Sequence, residues 1–208
     1  MAESPVRITK AANLSIVAYP EDFVAPDLIV NDTRIPGVFV VDSPVYADNR
    51  GTFEEFLSHE RLIQAGLPAF TVAQINVTTN TRGATRGIHS EGWQKWASPL
   101  LGNFDIVVLD MRPEEKTLGQ FVLVHTVPGR AVYIPPGCGH GYQAQTEGGV
   151  YAFTASRAWT PQALQDFVNP FAQDLQIPWR TPLSEAVLLN RELLAPDFQE
   201  WLGRIATS

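Results

Sequence analysis

The chain has 208 residues, 45% hydrophobic and 18% charged, which is enough for one well-filled core and too few for two full domains. Its formal net charge of −7 argues against a protein whose main task is to bind nucleic acid. No apolar run approaches the roughly 20 residues that span a bilayer, so we expect no membrane insertion. A single cysteine, Cys138, excludes an internal disulfide framework and fits a reducing cytoplasm, where we expect the protein to work.

Most of the chain predicts β-structure. Residues 1–33 mix prolines, acids and short apolar stretches, and they predict an N-terminal arm with one or two strands. The pattern then becomes β-rich, interrupted by a short helix predicted at 58–65 that ends at Gly66. Short strands bounded by glycine, proline and asparagine are predicted at 38–41, 52–56, 70–78, 85–90, 96–101, 104–111, 120–126, 131–134, 141–145 and 150–156.

The tail of the chain differs from its centre. Apolar residues recur at helical spacing in 183–194 and 197–205, which predicts short helices that cover the strands. A series of short strands without alternating helices indicates an all-β antiparallel sandwich or barrel. We therefore predict one domain overall, with an arm at 1–33, a β core at 34–181 and a helical cover at 182–208.

Two histidine motifs lie about fifty residues apart on separate predicted strands. The first ends at His89, with Arg86 three residues before it, and the second ends at His140. In a small β-barrel, inward-facing residues of separate strands converge on one cavity. A neutral imidazole accepts a proton near pH 7, and a nearby arginine favours an anionic ligand. The pair predicts a pocket for an anionic substrate that undergoes proton transfer, although either histidine alone would more often be structural or solvent-exposed.

The spacing around both histidines matches the two halves of the cupin pattern, which belongs to jelly-roll barrels. Gly83 precedes His89 in a Gly-x5-His spacing, and Pro135 precedes His140 in a Pro-x-Gly-x-x-His spacing. Metal-binding cupins usually have His-x-His in the first half, where this chain has Glu91 two residues after His89. Two histidines and a carboxylate suit iron(II), so a metal site of His89, Glu91 and His140 stays open as an alternative. We expect Glu91 to be a surface residue and the protein to hold no metal.

Residues 36–198 resemble the dTDP-4-dehydrorhamnose 3,5-epimerases, a family of nucleotide-sugar epimerases in the cupin superfamily. The resemblance rests on short motifs that follow one another in the family's order. These motifs are Asp48-Asn49-Arg50-Gly51-Thr52-Phe53-Glu54-Glu55, Gln74-Ile75-Asn76-Val77-Thr78, Arg86-Gly87-Ile88-His89, Lys95 with Asp110-Met111-Arg112 beyond it, Thr117-Leu118-Gly119-Gln120-Phe121, and Ile134-Pro135-Pro136-Gly137 to His140-Gly141-Tyr142. Each motif is short, but their combination is specific.

The resemblance implies a cupin jelly roll that epimerises a dTDP-4-keto-6-deoxyhexose at C3, C5 or both, without a cofactor. The 4-keto group acidifies the hydrogens at both carbons, so a base can remove a proton and leave an enolate, and reprotonation from the opposite face inverts the centre. By similarity, His89 is the base and Tyr151 the acid; without the resemblance, Tyr151 would be assigned to packing. Lys95, with help from Arg86 or His140, would stabilise the enolate oxygen.

The resemblance also implies further site residues and a dimer. In the family a C-terminal carboxylate orients the histidine, and Glu192 stands at that place here. The expected substrate-binding residues are Arg50, Phe53, Gln74, Asn76, Arg86, His140 and Arg191. The family's enzymes are homodimers that exchange N-terminal strands, so Arg50 and Phe53 would reach into the partner subunit's site. Arginine suits the pyrophosphate because it can donate two parallel hydrogen bonds.

The chain also departs from the family's pattern. The family's His-Tyr-Gln and Pro-Pro loop is replaced by His89-Ser90-Glu91 and a shorter segment to Lys95, and Arg157 replaces a second tyrosine. We therefore expect the sugar, the nucleotide or the number of inverted centres to differ. Two other functions stay open: a metal-dependent cupin oxygenase or isomerase, and a non-catalytic sugar-binding protein on this scaffold. The presence of a base, an acid and an enolate-stabilising lysine together favours the epimerase.

Overall fold

The computed structural model describes residues 7–9, 16–17, 27–161 and 166–207, most of which belong to two β-sheets. The strands are β1 Arg7–Thr9, β2 Ile16–Val17, β3 Ile29–Asp32, β4 Phe39–Asp42, β5 Val45–Asp48, β6 Gly51–Glu54, β7 Gln74–Asn80, β8 Thr85–Ser90, β9 Lys95–Leu101, β10 Phe104–Asp110, β11 Phe121–Thr126, β12 Arg130–Ile134, β13 Cys138–Ala144, β14 Gly149–Ala155 and β15 Asp166–Phe167. The helices are α1 His59–Gln64, α2 Asn190–Leu193 and α3 Phe198–Ile205, and a 3₁₀ turn covers Leu183–Glu185. Within the described parts of the chain, no helix has the length and apolar character that crossing a membrane requires.

Mainly antiparallel pairing joins strands from distant parts of the chain. The seven-stranded sheet has the order β1-β3-β4-β12-β9-β14-β7, and the six-stranded sheet has the order β15-β8-β13-β10-β11-β2. Strands β5 and β6 form a separate two-stranded hairpin. Two sheets built from such crossed-over connections form a jelly roll, so the prediction of an all-β jelly-roll fold with a few short C-terminal helices is confirmed.

Strand β10 shows why the strands form where they do. All of its residues are buried, because both of its faces are covered. Ile106 and Val108 belong to the core between the two sheets. Val107 and Leu109 point to the other face and belong to a second cluster with Trp201 of α3. A continuous apolar run is what a strand covered on both faces requires.

The C-terminal helix prediction is partly wrong. The helical spacing of 183–194 predicts one helix, but the structure has only the 3₁₀ turn and α2 there. Between them the chain is extended, because Val187 accepts a hydrogen bond from Thr85 N–H and donates one to the Gly83 carbonyl, both 2.9 Å long. The leucines that suggested a buried helical face are exposed, Leu189 at 59% and Leu194 at 82%. Helix α3 lies where the second helix is predicted.

The predicted division of the chain stays a prediction. Three short strands fall within 1–33, and β3 of that segment pairs antiparallel with β4 of the predicted core. The remainder of 1–26 lies outside the described residues. The predicted central strands agree with the observed β7 to β14 within a few residues at their ends.

The two strands that carry the histidines approach closely at two glycines. A Cβ atom added to Gly141 would lie 2.7 Å from the Arg86 carbonyl oxygen, and one added to Gly87 would lie 2.5 Å from the Gly141 Cα atom. Both distances are shorter than real Cβ contacts, so only glycine fits. His89 of β8 lies directly opposite His140 of β13, and their ring centroids are 4.4 Å apart. The glycines therefore allow the two imidazoles to lie side by side.

We expect Gly141→Ala to destabilise the protein, because its methyl group would push β13 away from β8 against backbone atoms that cannot yield. Overpacking of this kind costs about 1–3 kcal/mol, which a lowered midpoint of thermal unfolding should show. Gly203→Ala in α3 controls for adding a methyl group where a Cβ atom meets nothing within 4 Å, and it should be at least as stable as the wild type because alanine favours a helix. A Gly141→Ala variant as stable as the wild type would show that the close approach of β8 and β13 is not needed.

Candidate active site

Side chains from both sheets enclose a cavity of about 330 Å³. It is lined by Asn76, Val77, Thr78, Arg86, His89, His140, Gly141, Tyr142, Tyr151, Phe153, Trp159, Phe167 and Arg191. A smaller compartment of about 190 Å³ shares His89, Asn76, Phe153 and Trp159 with it. That compartment is completed by Gln74, Glu91, Trp93, Lys95 and Ala155. Most of the predicted site residues are therefore brought together around two connected spaces.

A cluster of four ionisable side chains lies between these spaces. Lys95 Nζ is 2.8 Å from both carboxylate oxygens of Glu91 and 3.1 Å from Nε2 of His140. Glu91 Oε1 also lies 3.4 Å from Nε2 of His89. The side chains of Glu91, Lys95 and His140 are almost fully buried, whereas that of His89 is 23% exposed and faces both spaces. His89 is thus the member of the cluster that a substrate can reach most readily.

Burial and mutual repulsion keep the two histidines neutral. The pKa of His89 lies well below its usual value because of burial, then because of the positive charges of Lys95 and Arg191. Burial, Lys95 and His89 lower the pKa of His140 in the same way. Burial also lowers the pKa of Lys95, but the adjacent Glu91 carboxylate opposes this shift. At neutral pH the cluster therefore offers neutral imidazoles, and a neutral imidazole can act as a base.

Tyr151 has the properties of a proton donor. It lies on β14, in the sheet opposite to the one that carries His89, and its side chain is almost completely buried. Its hydroxyl makes no hydrogen bond within the described part of the protein. Burial, with a further contribution from Tyr142, raises its pKa well above the usual value. The phenol is therefore protonated at neutral pH and has no internal partner that competes for its proton.

Tyr142 holds Tyr151 in place and was not singled out by the sequence. The two rings are 4.2 Å apart between centroids. The Tyr142 hydroxyl lies 2.9 Å from Thr78 Oγ1 and donates to Asn80 Oδ1 at 3.0 Å. These bonds fix one wall of the cavity. No sequence signal distinguishes Tyr142 from a core tyrosine, because its role depends on which strand lies next to it.

Glu192 and Arg191 are neighbours on α2, but Glu192 borders a space separate from the cavity. The Glu192 carboxylate is buried, accepts a hydrogen bond from the Leu189 N–H at 3.1 Å, and pairs with Arg191 at 2.9 Å. It therefore contacts its own helix, while the carboxylate against His89 is that of Glu91. The assignment of Glu192 as the group that orients His89 stays a prediction. Arg191 lines the cavity as expected for a substrate-binding residue.

The expectation for Glu91 is wrong. Glu91 was expected on the surface, whereas the residue is only 6% exposed and is at the centre of the cluster. The signal was present in the sequence, because residues two apart on an extended segment share one face. An inward-facing His89 therefore implies an inward-facing Glu91.

Arg50 and Phe53 lie outside the cavity of their own chain. They belong to the hairpin of β5 and β6, where Arg50 pairs with Asp48 at 2.6 Å and Phe53 is 69% exposed.

Gln74 lies at the smaller compartment. Its side-chain amide donates to Asn76 Oδ1 at 2.8 Å and accepts from the backbone N–H of Trp159 at 2.8 Å. Trp159 borders both spaces and is a further site residue that the sequence analysis does not identify.

The histidine cluster does not fit a metal ion while Lys95 is present. Ligand atoms of His89, Glu91 and His140 lie within 4.8 Å of one another, as a metal site would require. However, Lys95 Nζ already contacts two of these three residues, at 2.8 and 3.1 Å. The ammonium group and a divalent cation would compete for the same ligands and the same space. Lys95 thus supplies the positive charge that a metal ion would otherwise bring.

A jelly roll in which a neutral histidine and a protonated tyrosine face one cavity is a cupin-type barrel equipped for acid–base chemistry. Sequence comparison identifies the family: the profile described as dTDP-4-dehydrorhamnose 3,5-epimerase matches residues 32–200. The chain belongs to this family, which confirms the resemblance and the expectation of an epimerase, an isomerase. A dTDP-4-dehydro-6-deoxyglucose 3-epimerase from Streptomyces bikiniensis is 32% identical over 181 residues, covering 83% of this chain and 91% of that protein.

Solved structures agree with this relationship. The 3'-monoepimerase from Streptomyces bikiniensis, in complex with dTDP-quinovose, has a TM-score of 0.75 and 31% identity, covering 82% of this chain and 89% of that one. The epimerase RmlC from Streptococcus suis, in complex with dTDP-D-xylose, has a TM-score of 0.79 and 26% identity, covering 86% and 95% of the two chains. A dTDP-4-dehydrorhamnose 3,5-epimerase from Streptomyces griseus is 29% identical over 171 residues, covering 80% of this chain and 84% of that protein, so both 3-epimerases and 3,5-epimerases are similar to this chain.

We expect Lys95→Met to bind cobalt(II) more tightly than the wild-type protein does, because it removes the competing ammonium group and leaves two imidazoles and a carboxylate. The visible absorption of bound cobalt during a titration measures this. Lys116→Met, which changes an exposed lysine, is the control for the general effect of losing one positive charge. Equal cobalt affinity of the Lys95→Met and wild-type proteins would show that Lys95 does not occupy a metal position.

Proposed function

We propose that the protein inverts C3, C5 or both in a dTDP-4-keto-6-deoxyhexose, by removing a proton next to the 4-keto group and returning one to the opposite face. The observation that carries this proposal is the placement of His89 and Tyr151. They line one cavity from strands of opposite sheets, β8 and β14. Inversion needs a base on one side of the carbon and an acid on the other, and these two side chains are suited to those roles.

The protonation states support the direction of each step. Neutral His89 takes the proton from the carbon and becomes an imidazolium, while the electron pair left behind moves to the 4-keto oxygen. Lys95 and Arg86 supply the positive charge that stabilises the resulting enolate. Tyr151 then gives its proton to the opposite face of the same carbon. Proton exchange with water returns His89 and Tyr151 to their starting states, so no oxidant, reductant or cofactor takes part.

The remaining polar residues suit the nucleotide part of the substrate. Arg191 lines the larger space and provides positive charge for a diphosphate. Gln74 and Asn76 lie on β7 beside Trp159, at the border of the smaller compartment. The relatives include both 3-epimerases and 3,5-epimerases, so similarity alone does not give the number of inverted centres. Hydrogen–deuterium exchange at C3 and C5 of the substrate measures it.

The homodimer is part of the proposal. The hairpin of β5 and β6 exposes Tyr46 at 57% and Phe53 at 69%, and the edge strand β7 exposes Ile75 at 63% and Val77 at 58%. Apolar groups on a hairpin and on a sheet edge favour covering by a second copy. In this dimer the two subunits exchange N-terminal strands, and Arg50 and Phe53 complete the partner's site. The proposal places the enzyme in the cytoplasm.

Incubation with dTDP-4-keto-6-deoxyglucose in deuterated water should replace hydrogen at the inverted carbons, which proton NMR follows directly. His89→Asn should slow exchange by about 10²- to 10⁴-fold, the usual contribution of a general base. Tyr151→Phe should allow deuterium exchange from the His89 side but yield little inverted product. Thr154→Val, a buried strand residue outside both lining sets, controls for changes in packing. Exchange by His89→Asn at the wild-type rate would contradict the mechanism.

Hybrid dimers should test whether Arg50 serves the partner's site. The Arg50→Ala and His89→Asn variants should each be nearly inactive, yet a hybrid dimer has one site with both residues intact. Random association would restore about a quarter of the wild-type activity, because half of the dimers are hybrids and each has one complete site. No recovery in co-expressed protein that analytical ultracentrifugation shows to be dimeric would contradict the exchange of Arg50 between sites.

A further inference from the structure

One buried carboxylate contacts three residues of the proposed mechanism. Glu91 places both of its oxygens 2.8 Å from Lys95 Nζ, and it also lies 3.4 Å from Nε2 of His89 and 3.9 Å from Nδ1 of His140. Its side chain is only 4% exposed. Glu91 is also the carboxylate that lies against His89 within the described part of the chain. Such a charge in the middle of an acid–base site affects each of its neighbours.

We propose that Glu91 is a positioning residue of the reaction, which fixes the Lys95 ammonium group beside His140 and balances the charge that forms on His89. The proposal rests on the epimerase function proposed above. It also gives Glu91 the role of the carboxylate next to the base, which the family resemblance assigns to Glu192. Glu192 is held by the Leu189 N–H and by Arg191 in its own helix.

The geometry explains how Glu91 fixes Lys95. A lysine side chain has a flexible stem and three N–H donors, so a single contact leaves its direction undefined. Here two donors are directed to the two oxygens of Glu91, and Nζ also lies 3.1 Å from Nε2 of His140. The ring of Phe153 lies against the same ammonium group, 5.3 Å from Nζ to the centroid. Contacts from three directions hold the charge at the wall of the smaller compartment.

Charge balance explains the second part of the role. When His89 takes a proton, the site gains an imidazolium next to Lys95 and Arg191, both of which already disfavour it. The Glu91 carboxylate opposes that repulsion from 3.4 Å away. With Glu91 present, the imidazolium, the ammonium group, the carboxylate and the enolate sum to zero. A neutral glutamine would leave one excess positive charge in a nearly buried site, where unbalanced charge is costly.

Glu91→Gln keeps the size of the side chain and removes its charge. We expect kcat to fall by about 10- to 100-fold, as is usual when a group that orients a catalytic residue is lost, while KM changes little. The alkaline limb of the kcat/KM profile should move to lower pH. Burial lowers the pKa of Lys95 and Glu91 raises it, so Lys95 loses its proton more easily once Glu91 is neutral. The other titratable groups facing Lys95, His89 and His140, are neutral in this range.

Three further variants separate positioning from packing. Glu91→Asp keeps the charge on a shorter side chain, so it should restore part of kcat and move the alkaline limb to lower pH by less than Glu91→Gln does. Glu192→Gln should leave that limb in place, because Glu192 does not contact Lys95. Glu200→Gln removes an exposed carboxylate of α3 that pairs with Arg204, and it controls for net charge. A wild-type kcat together with an unmoved alkaline limb in Glu91→Gln would overturn the proposal.

A measurement without substrate keeps the test independent of the proposed function. The chain has three lysines, Lys10, Lys95 and Lys116, so the ¹³Cε signal of Lys95 can be assigned with Lys95→Arg. This signal should titrate at lower pH in Glu91→Gln than in the wild type. If Glu91→Gln does not fold, Glu91→Asp should show a smaller shift in the same direction. An unchanged titration overturns the contact between Glu91 and Lys95. Wild-type protein that exchanges neither C3 nor C5 would instead contradict the epimerase, and the Lys95 titration would still test the contact.

Discussion

The close approach of β8 and β13 is the constraint on which the site depends. These neighbouring strands carry His89 and His140, and a side chain at Gly87 or Gly141 would collide with the backbone of the other strand. Because the strands pack this closely, the two imidazoles stand side by side; His140 contacts Lys95, which comes from the opposite sheet, and the charge of Lys95 also acts on His89. The electrostatics of the site are therefore a consequence of a backbone contact.

Those electrostatics explain why the two imidazoles are neutral. Two imidazoles next to one ammonium group cannot all be charged in a buried place, and the lysine keeps its proton because Glu91 is bound to it. The histidines are left neutral, and Tyr151 on the far wall keeps its own proton because burial raises its pKa. Burial thus favours the neutral form of both groups: it lowers the pKa of the imidazoles, which are charged when protonated, and raises the pKa of the phenol, which is charged when deprotonated.

The sequence predicted what depends on local signals. Strand positions followed from alternation and from glycine, proline and asparagine boundaries, and two histidine motifs placed His89 and His140 correctly in one cavity. The helix at 183–194 failed because Val187 bonds to the backbone around Gly83, a contact between segments about a hundred residues apart. Tyr142 and Trp159 were missed for the same reason, since their roles depend on which strands become neighbours. Glu91 is different: strand alternation implied its inward direction, and only the general exposure of glutamates argued against it.

In the proposed mechanism, the carboxylate of Glu91 changes how Lys95 acts on the enolate, compared with a neutral side chain such as glutamine at this position. An ammonium group with a glutamine neighbour would present its full charge to the enolate, but burial would make it lose its proton readily. With Glu91 bound to it, the lysine is a weaker electrostatic partner for the enolate and a more constant one, because its proton is retained over a wider pH range. The same carboxylate stabilises the imidazolium that forms on His89, so part of the stabilisation that it takes from the enolate is regained at the base. In such a site, Glu91 assists proton removal mainly by stabilising protonated His89, and less by the stabilisation that Lys95 gives to the enolate.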